Sequence, residues 1–343
     1  MSGPFGSSTF NHGVSAGGVY NDVVNQSLRF EDSRSNVLNK TLSASNGTIF
    51  TFSCWVKLGN IGINRCLLQG YEDSNNFTQI LLYSSNQVGI YSATSNTARL
   101  YTVTTALQRD HSSWYNIVVK FNGTSGSEEF KIYVNGVNQA LTTTTALSAH
   151  QSLIGNSNAH YIGNNFNQSL DMDGYMAEVN FIDGTALDAS SFGETKDGVW
   201  TPKAYSGSYG TNGFRLQFKQ TGTGTASAST IGADTSGNTN HFTSTNLAAS
   251  DSNMPDCPEN NFCVMKSASV DHQNRGTPSD GNLVITNAGS VGWGVHTATF
   301  AVNSGKWWYE ACASGSIGIG YNVGYQNVDT YLWDNYFREW DNR

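Results

Sequence analysis

Two aspartates one residue apart, Asp171 and Asp173, come closest in type and spacing to a chemical site. Side chains two apart on a strand share a face, and Leu170-Asp171-Met172-Asp173-Gly174 reads as the entry to a strand. Calcium takes about six to eight oxygens, which aspartates and loop carbonyls can supply. Calcium ligation is therefore one reading of the pair, and a solvated turn is the other. Sugar hydrolysis asks for more: two carboxyls facing each other across the bond, about 5.5 or 6.5–9.5 Å apart. On a strand that means a run such as E-x-D-x-E, and none occurs. Glu178 has Met176 and Asn180 as its same-face neighbours, and adjacent Glu128 and Glu129 point to opposite sides. The seven histidines stand apart from cysteines and carboxylates at ligand spacing. There is no G-x-S-x-G elbow and no phosphate loop, and Gly318-x-Gly320 lacks the third glycine of a dinucleotide fingerprint. These residues predict a binding protein rather than an enzyme.

The elements that must position such residues are strands. Of 343 residues, 12% are aromatic and only 13% charged, about half the roughly 25% charged residues of an average domain. The polar surface is thus built from Ser, Thr, Asn, Gln and Gly, which favour turns over helices. Apolar runs with β-character lie at 49–57, 79–83, 88–91, 114–121, 131–134, 161–163 and 175–182. Asn122-Gly123 and Asn135-Gly136 supply hairpin turns, and residues 188–192 can form one helical turn. Short strands separated by turns indicate an all-β sandwich or jelly roll.

The 18 Lys and Arg are scattered and the net charge is −8, so nucleic acid is excluded as a partner because phosphate binding needs clustered cations. No apolar run approaches the roughly 20 residues of a membrane span. The first residues show neither the basic patch nor the apolar core of a signal peptide. Cys54, Cys66, Cys257, Cys263 and Cys312 are odd in number and widely spaced, which favours free thiols made in a reducing cytoplasm over a disulfide framework. A Cys257–Cys263 bridge is the alternative.

Residues 1–24 are rich in Gly and Ser with single aromatics. They read either as a disordered tail or as a flexible arm whose Phe5, Phe10 and Tyr20 order on docking to a partner. Residues 25–190 hold the strong strand signals, residues 191–270 a loop-rich connecting module, and residues 271–343 a second strand-rich region with the length of an incomplete sandwich. Trp307-Trp308-Tyr309 in that last region reads as core, with sugar stacking as the alternative.

Five motifs in order carry a family resemblance: Ser27-Leu28-Arg29-Phe30, Thr51-Phe52-Ser53-Cys54-Trp55-Val56-Lys57, Trp114-Tyr115-Asn116-Ile117-Val118-Val119, Lys131-Ile132-Tyr133-Val134-Asn135-Gly136, and residues 170–179. Together they resemble a laminin-G-like domain. The resemblance implies a concanavalin-A-like jelly roll and, at its rim, one calcium, although it does not fix the ligands here. Trp200-x-Pro202-Lys203, residues 209–214, residues 232–238 and Asn260-Asn261-Phe262 resemble a segment of structural proteins of marine tailed phages. Ser304-Gly305-Lys306-Trp307-Trp308-Tyr309-Glu310 followed by Ile317-Gly318-Ile319-Gly320 resembles the opening of a SPRY-type sandwich. The combined expectation is a virion protein of a phage, a tail fibre or surface appendage that recognises a host glycan. It would be assembled in the host cytoplasm, exposed on the released particle, tied to other virion proteins through residues 1–24, and homo-oligomeric, with a trimer favoured. A capsid or tail decoration protein is the alternative, and a polysaccharide depolymerase has the least support.

Overall fold

Runs of β-branched and aromatic residues cannot satisfy their backbone groups alone, so they pair until each edge is covered. The computed structural model describes residues 20–43, 47–266, 276–286, 296, 298–300, 310, 312, 317–319 and 338–340. The first strands are β1 (Leu28–Phe30), β2 (Val37–Thr41), β3 (Ile49–Leu58), β4 (Arg65–Asp73), β5 (Asn76–Leu82), β6 (Val88–Thr94) and β7 (Thr97–Thr104). Then come β8 (Trp114–Asn122), β9 (Glu129–Val134), β10 (Val137–Asn138), β11 (Leu141–Thr145), β12 (Ala159–Ile162) and β13 (Gly174–Asp183). The connecting region adds β14 (Gly193–Lys196), β15 (Val199–Pro202), β16 (Phe214–Leu216) and β17 (Thr243–Thr245). The expected helical turn is a 3-10 turn at Ala189–Ser191.

Two antiparallel sheets face each other. A seven-stranded sheet runs β1-β13-β3-β8-β9-β10, with β16 also on β13, and an eight-stranded sheet runs β11-β7-β6-β5-β4-β12-β2-β17. The architecture is the expected all-β, concanavalin-A-like sandwich. Asn135 and Gly136 take φ of 48° and 77°, the left-handed values that a tight two-residue hairpin demands, and so deliver β10 onto β9. Between the sheets lie Phe50, Phe52, Phe121, Phe181, Ile90 and Leu100, with the Phe50 and Phe121 rings stacked at 4.8 Å.

The connecting region is not a separate layer. Phe214, Leu216, Phe218, Ile231, Phe242 and Leu247 belong to the same buried cluster as the sandwich. β16 pairs with β13, and β17 pairs with β2 on the opposite sheet. The expected boundary near residue 190 therefore falls inside one packed unit.

The outer face of the seven-stranded sheet is covered too. Trp55, Trp114, Tyr175, Ala177 and Cys257 form one cluster there with Val24, and Val118, Tyr133, Ile182, Ala189, Phe192 and Tyr209 form another. The expected strand parity at Glu178 fails because a β-bulge lies between Ala177 and Asn180. Glu178 takes φ 47°, and Val179 instead joins Met176 in the core. Glu178 is buried, and its Oε1 accepts from Arg215 Nε at 2.6 Å.

Farther along, β18 (Thr277–Ser279) pairs with β19 (Val284–Thr286), and β20 (Ile317–Ile319) with β21 (Arg338–Trp340). Residues 304–309 of the SPRY-like motif, the Trp307-Trp308-Tyr309 cluster among them, lie outside the described residues. All five cysteines are free, so no Cys257–Cys263 bridge forms. Among the described residues no helix is long and apolar enough to cross a membrane.

Candidate functional site

The register of two neighbouring strands builds the first candidate. β1 and β13 are antiparallel with Phe30 opposite Gly174, so the residue after β1 and the residue before β13 meet at one end of the sheet. Glu31, Asp32 and Asp173 each place a carboxylate oxygen within 4.8 Å of the others. Of the expected pair, only Asp173 joins this cluster. Asp171 instead lines a shallow rim cleft with Asp32, Ser33, Asn64 and Ser169, where its Oδ1 accepts from Asn164 Nδ2. Glu31 and Asp32 went unread because sequence parity only pairs acids on one strand. Their signal was an acidic pair directly after a strand end.

Asp173 is 2% exposed, and its Oδ2 is buried without a hydrogen-bond partner. Burial is the main reason its carboxyl titrates up at about 7; Asp32 adds to the rise, and the Arg65 guanidinium opposes it. Burial likewise holds Arg65 down at about 10, and raises Glu31. Arg65 donates through Nη2 to the Asn60 carbonyl and through Nη1 to that of Ile63 at 3.4 Å. Gly59 makes room for the buried acid, since a Cβ there would stand 2.5 Å from Asp173 Oδ2. An orphaned carboxylate oxygen among hard donors fits a calcium ion. It fits a glycosidase pair poorly. Glu31 and Asp173 are 5% and 2% exposed, so no polysaccharide could pass between them.

The second candidate is the outer face of the eight-stranded sheet, which among the described residues no other layer covers in the way that the opposite sheet is covered. Directly opposed residues share a face, and the register threads one file across it. Thr243 faces Asn39, Asn39 faces Tyr161, Tyr161 faces Gln69, and Gln69 faces Gln79. Gln79 then faces Tyr91, Tyr91 faces Tyr101, and Tyr101 faces Thr145. Tyr71 and Phe77 form a neighbouring pair. Phe166, 39% exposed, stacks on Tyr71 with centroids 3.8 Å apart and helps cover the buried Gln69. Tyr91 meets Phe77 at 5.7 Å and Tyr101 at 5.6 Å. The file holds aromatic rings, amides and hydroxyls and no charged group. Tyr71, Phe77, Tyr91, Tyr101 and Tyr161 are all half-exposed.

The expected docking aromatics divide. Tyr20 is half-buried against its own chain, with its hydroxyl raised first by burial and then by Glu259 and Cys257. Beside it, Asn21 N and Val24 N donate to the two Glu259 carboxylate oxygens at 2.6 Å each. Phe5 and Phe10 lie outside the described residues.

Residues 31–191 match a laminin-G family described as the concanavalin A-like lectin/glucanases superfamily, and this stretch is a laminin-G-type domain with that fold. No curated protein matches the chain. Among solved structures, the chain is 13% identical to the native heptameric SAP-like pentraxin of Limulus polyphemus, with a TM-score of 0.38 over 49% of this chain and 79% of that one. A protein of Bacteroides ovatus described as a carbohydrate-binding candidate is 13% identical, with a TM-score of 0.43 over 64% of this chain and 58% of that one. Domains LG4-5 of the mouse laminin alpha1 chain are 11% identical, with a TM-score of 0.37 over 58% and 48%. These likenesses concern the fold alone. Domains of this kind are typically binding modules without catalysis.

Proposed function

We propose that the chain is a non-catalytic glycan-recognition protein carried on a phage particle as a fibre or comparable appendage. The observation that carries the reading is the contrast between the two sheets. One is buried on both faces, whereas the other presents half-exposed tyrosines interleaved with amides and hydroxyls. Sugars have apolar ring faces and hydroxyl edges, which this mixture can stack on and hydrogen-bond. The file crosses the strands, which lie about 4.8 Å apart, so it suits an extended glycan lying across the sheet.

Glu31, Asp32 and Asp173 would hold a calcium ion at the rim. The ion would supply positive charge to buried carboxylates and so fix the ends of β1 and β13. The phage setting is drawn from the likeness of residues 197–266 to phage structural segments, and from five free thiols as in a protein folded in a reducing cytoplasm. Several copies on one particle, a trimer in the favoured case, would turn weak contacts into avidity. Residues 1–24 would attach them to other virion proteins.

Binding of the assembled oligomer to arrays of host-surface polysaccharides tests this. Tyr91→Ala with Tyr101→Ala should weaken binding about tenfold or more, the effect of about 1.4 kcal/mol. Failure of the native oligomer to bind any glycan would favour a decoration protein. Release of reducing ends would favour a depolymerase.

A further inference from the structure

Lys57 is, with Arg65, one of the two charged residues among the largest fully buried side chains, and neither candidate site uses it. It stands on β3, the strand between β13 and β8, and its side chain is 0% exposed. Its Nζ donates to Asp256 Oδ2 at 2.7 Å, to Asn261 Oδ1 at 2.9 Å and to the Phe262 carbonyl at 2.5 Å. Asp256 is itself buried, and its Oδ1 accepts from Trp114 Nε1 at 3.0 Å and from the Phe262 backbone at 3.2 Å. Asn261 Nδ2 donates to the Ser112 carbonyl at 2.6 Å, which turns the amide oxygen toward the lysine. Trp55, Trp114, Tyr175 and Cys257 pack around the group. A buried amine, a side-chain amide and a buried carboxyl thus meet in a largely apolar cluster.

We propose that Lys57 and Asn261 are joined by an intramolecular isopeptide bond that the chain forms by itself, with Asp256 as the proton carrier. The Nζ of neutral Lys57 attacks Cγ of Asn261, protonated Asp256 gives its proton to Nδ2 and takes the one that Nζ loses, and the Cγ–Nδ2 bond breaks. One amide replaces another, one ammonia leaves, and nothing is oxidised or reduced. For the attack the Asn261 amide turns its face to Nζ and gives up the Ser112 contact. The amine and the amide are held together, so the step pays no cost of encounter. Burial also biases both groups toward the protonation states this step needs. It lowers Lys57 and raises Asp256, against their mutual attraction, and so favours a neutral amine beside a neutral acid. An amine desolvated in this way is the nucleophilic form of lysine. The product is also better suited to the site, because a buried ion pair bears the desolvation of two charges and an amide bears none.

The bond would tie β3 to the segment around residues 256–262. The same segment is fastened to the start of the chain, where Ser27 Oγ donates to the Asp256 carbonyl at 2.6 Å.

The test is the intact mass of the purified full chain, followed by peptide mapping. The expected result is a mass lower than the sequence by one ammonia, and a branched peptide linking the segments around Lys57 and Asn261. Asn261→Ala and the near-isosteric Asp256→Asn should restore the sequence mass, with circular dichroism showing that Asp256→Asn still folds. A folded wild-type chain at full sequence mass overturns the proposal and leaves Lys57 as an ammonium with three acceptors. So does a deficit of one water, which would mean a Lys57–Asp256 bond. Loss of ammonia mapped to a cyclised asparagine elsewhere, or a deficit that survives Asp256→Asn, overturns it as well.

Discussion

Replacing Asp173 by Asn should make the calcium-free protein more stable at alkaline pH and leave it unchanged in acid. An unfolded aspartate ionises near 3.8, whereas folded Asp173 holds its proton up to about 7. The folded state therefore binds the proton more tightly across that window, and stability falls as pH rises through it. The loss begins near the unfolded value and is complete above the folded one. At about 1.36 kcal/mol per pH unit, the full cost of the buried carboxylate is roughly 4 kcal/mol. That is an upper figure, because part of the rise comes from the neighbouring charges of Asp32 and Glu31 rather than from burial. Urea denaturation in chelator at about pH 8 should show the variant ahead by roughly 2–4 kcal/mol, with no difference at about pH 4. Calcium at a hundredfold excess over its dissociation constant should stabilise the native chain by about 2.7 kcal/mol and the variant far less. If the variant is the less stable protein at alkaline pH without calcium, the Arg65 pairing outweighs burial and the reasoning fails.

Three further outcomes are expected. Arg215→Met should cost about 3–5 kcal/mol because it strands the buried Glu178 carboxylate, and adding Glu178→Leu should recover much of it; a single-variant loss below about 1 kcal/mol would contradict the pairing. Phe214→Ala should cost about 3–5 kcal/mol in thermal or urea melts, since its ring is fully buried and packs on Phe181 at 5.4 Å; a near-neutral result would mean that the connecting region packs only loosely. His160 is held neutral, with Nε2 accepting from Gly155 N and Nδ1 facing the Asn158 carbonyl, each at 2.9 Å, and burial lowers it from 6.5 to about 4. Its contribution has the opposite sign to that of Asp173: stability is present above 6.5 and lost as pH falls toward about 4. His160→Gln should flatten that acid limb, by roughly 3 kcal/mol at most, and an unchanged pH profile would exclude the residue as its source.

The strands and the fold were legible because turns and aromatic runs are local signals. β3 shows what was not. Its residues read as a run with only partial alternation because every position after Ile49 is buried. Alternation needs one wet face, and the segments that dry the second face, around residues 23–24, 187–209 and 254–262, are not adjacent to it in sequence. The same non-locality hid the carboxylate cluster. Asp171 and Asp173 looked paired by parity, but strand register unites Asp173 with Glu31 and Asp32 instead. Glu178 escaped for a different reason, since one extra residue in a bulge resets the faces on either side of it. The Tyr91–Tyr101 file was visible only as scattered aromatics, because a row across strands has no fixed spacing in sequence.

β16 and β17 belong to one stretch of chain, yet they complete opposite sheets. The part that resembles a familiar domain, residues 31–191, is therefore not a self-contained sandwich. Cut out at those limits, it would lose the β16 partner of β13 at residues 179–181 and the β17 partner of β2, and Phe214 and Phe242 would be missing from between the layers. Bare edges of that kind seek strands from other molecules. A laboratory chimera built on this sandwich should carry the tract through residue 245 with it.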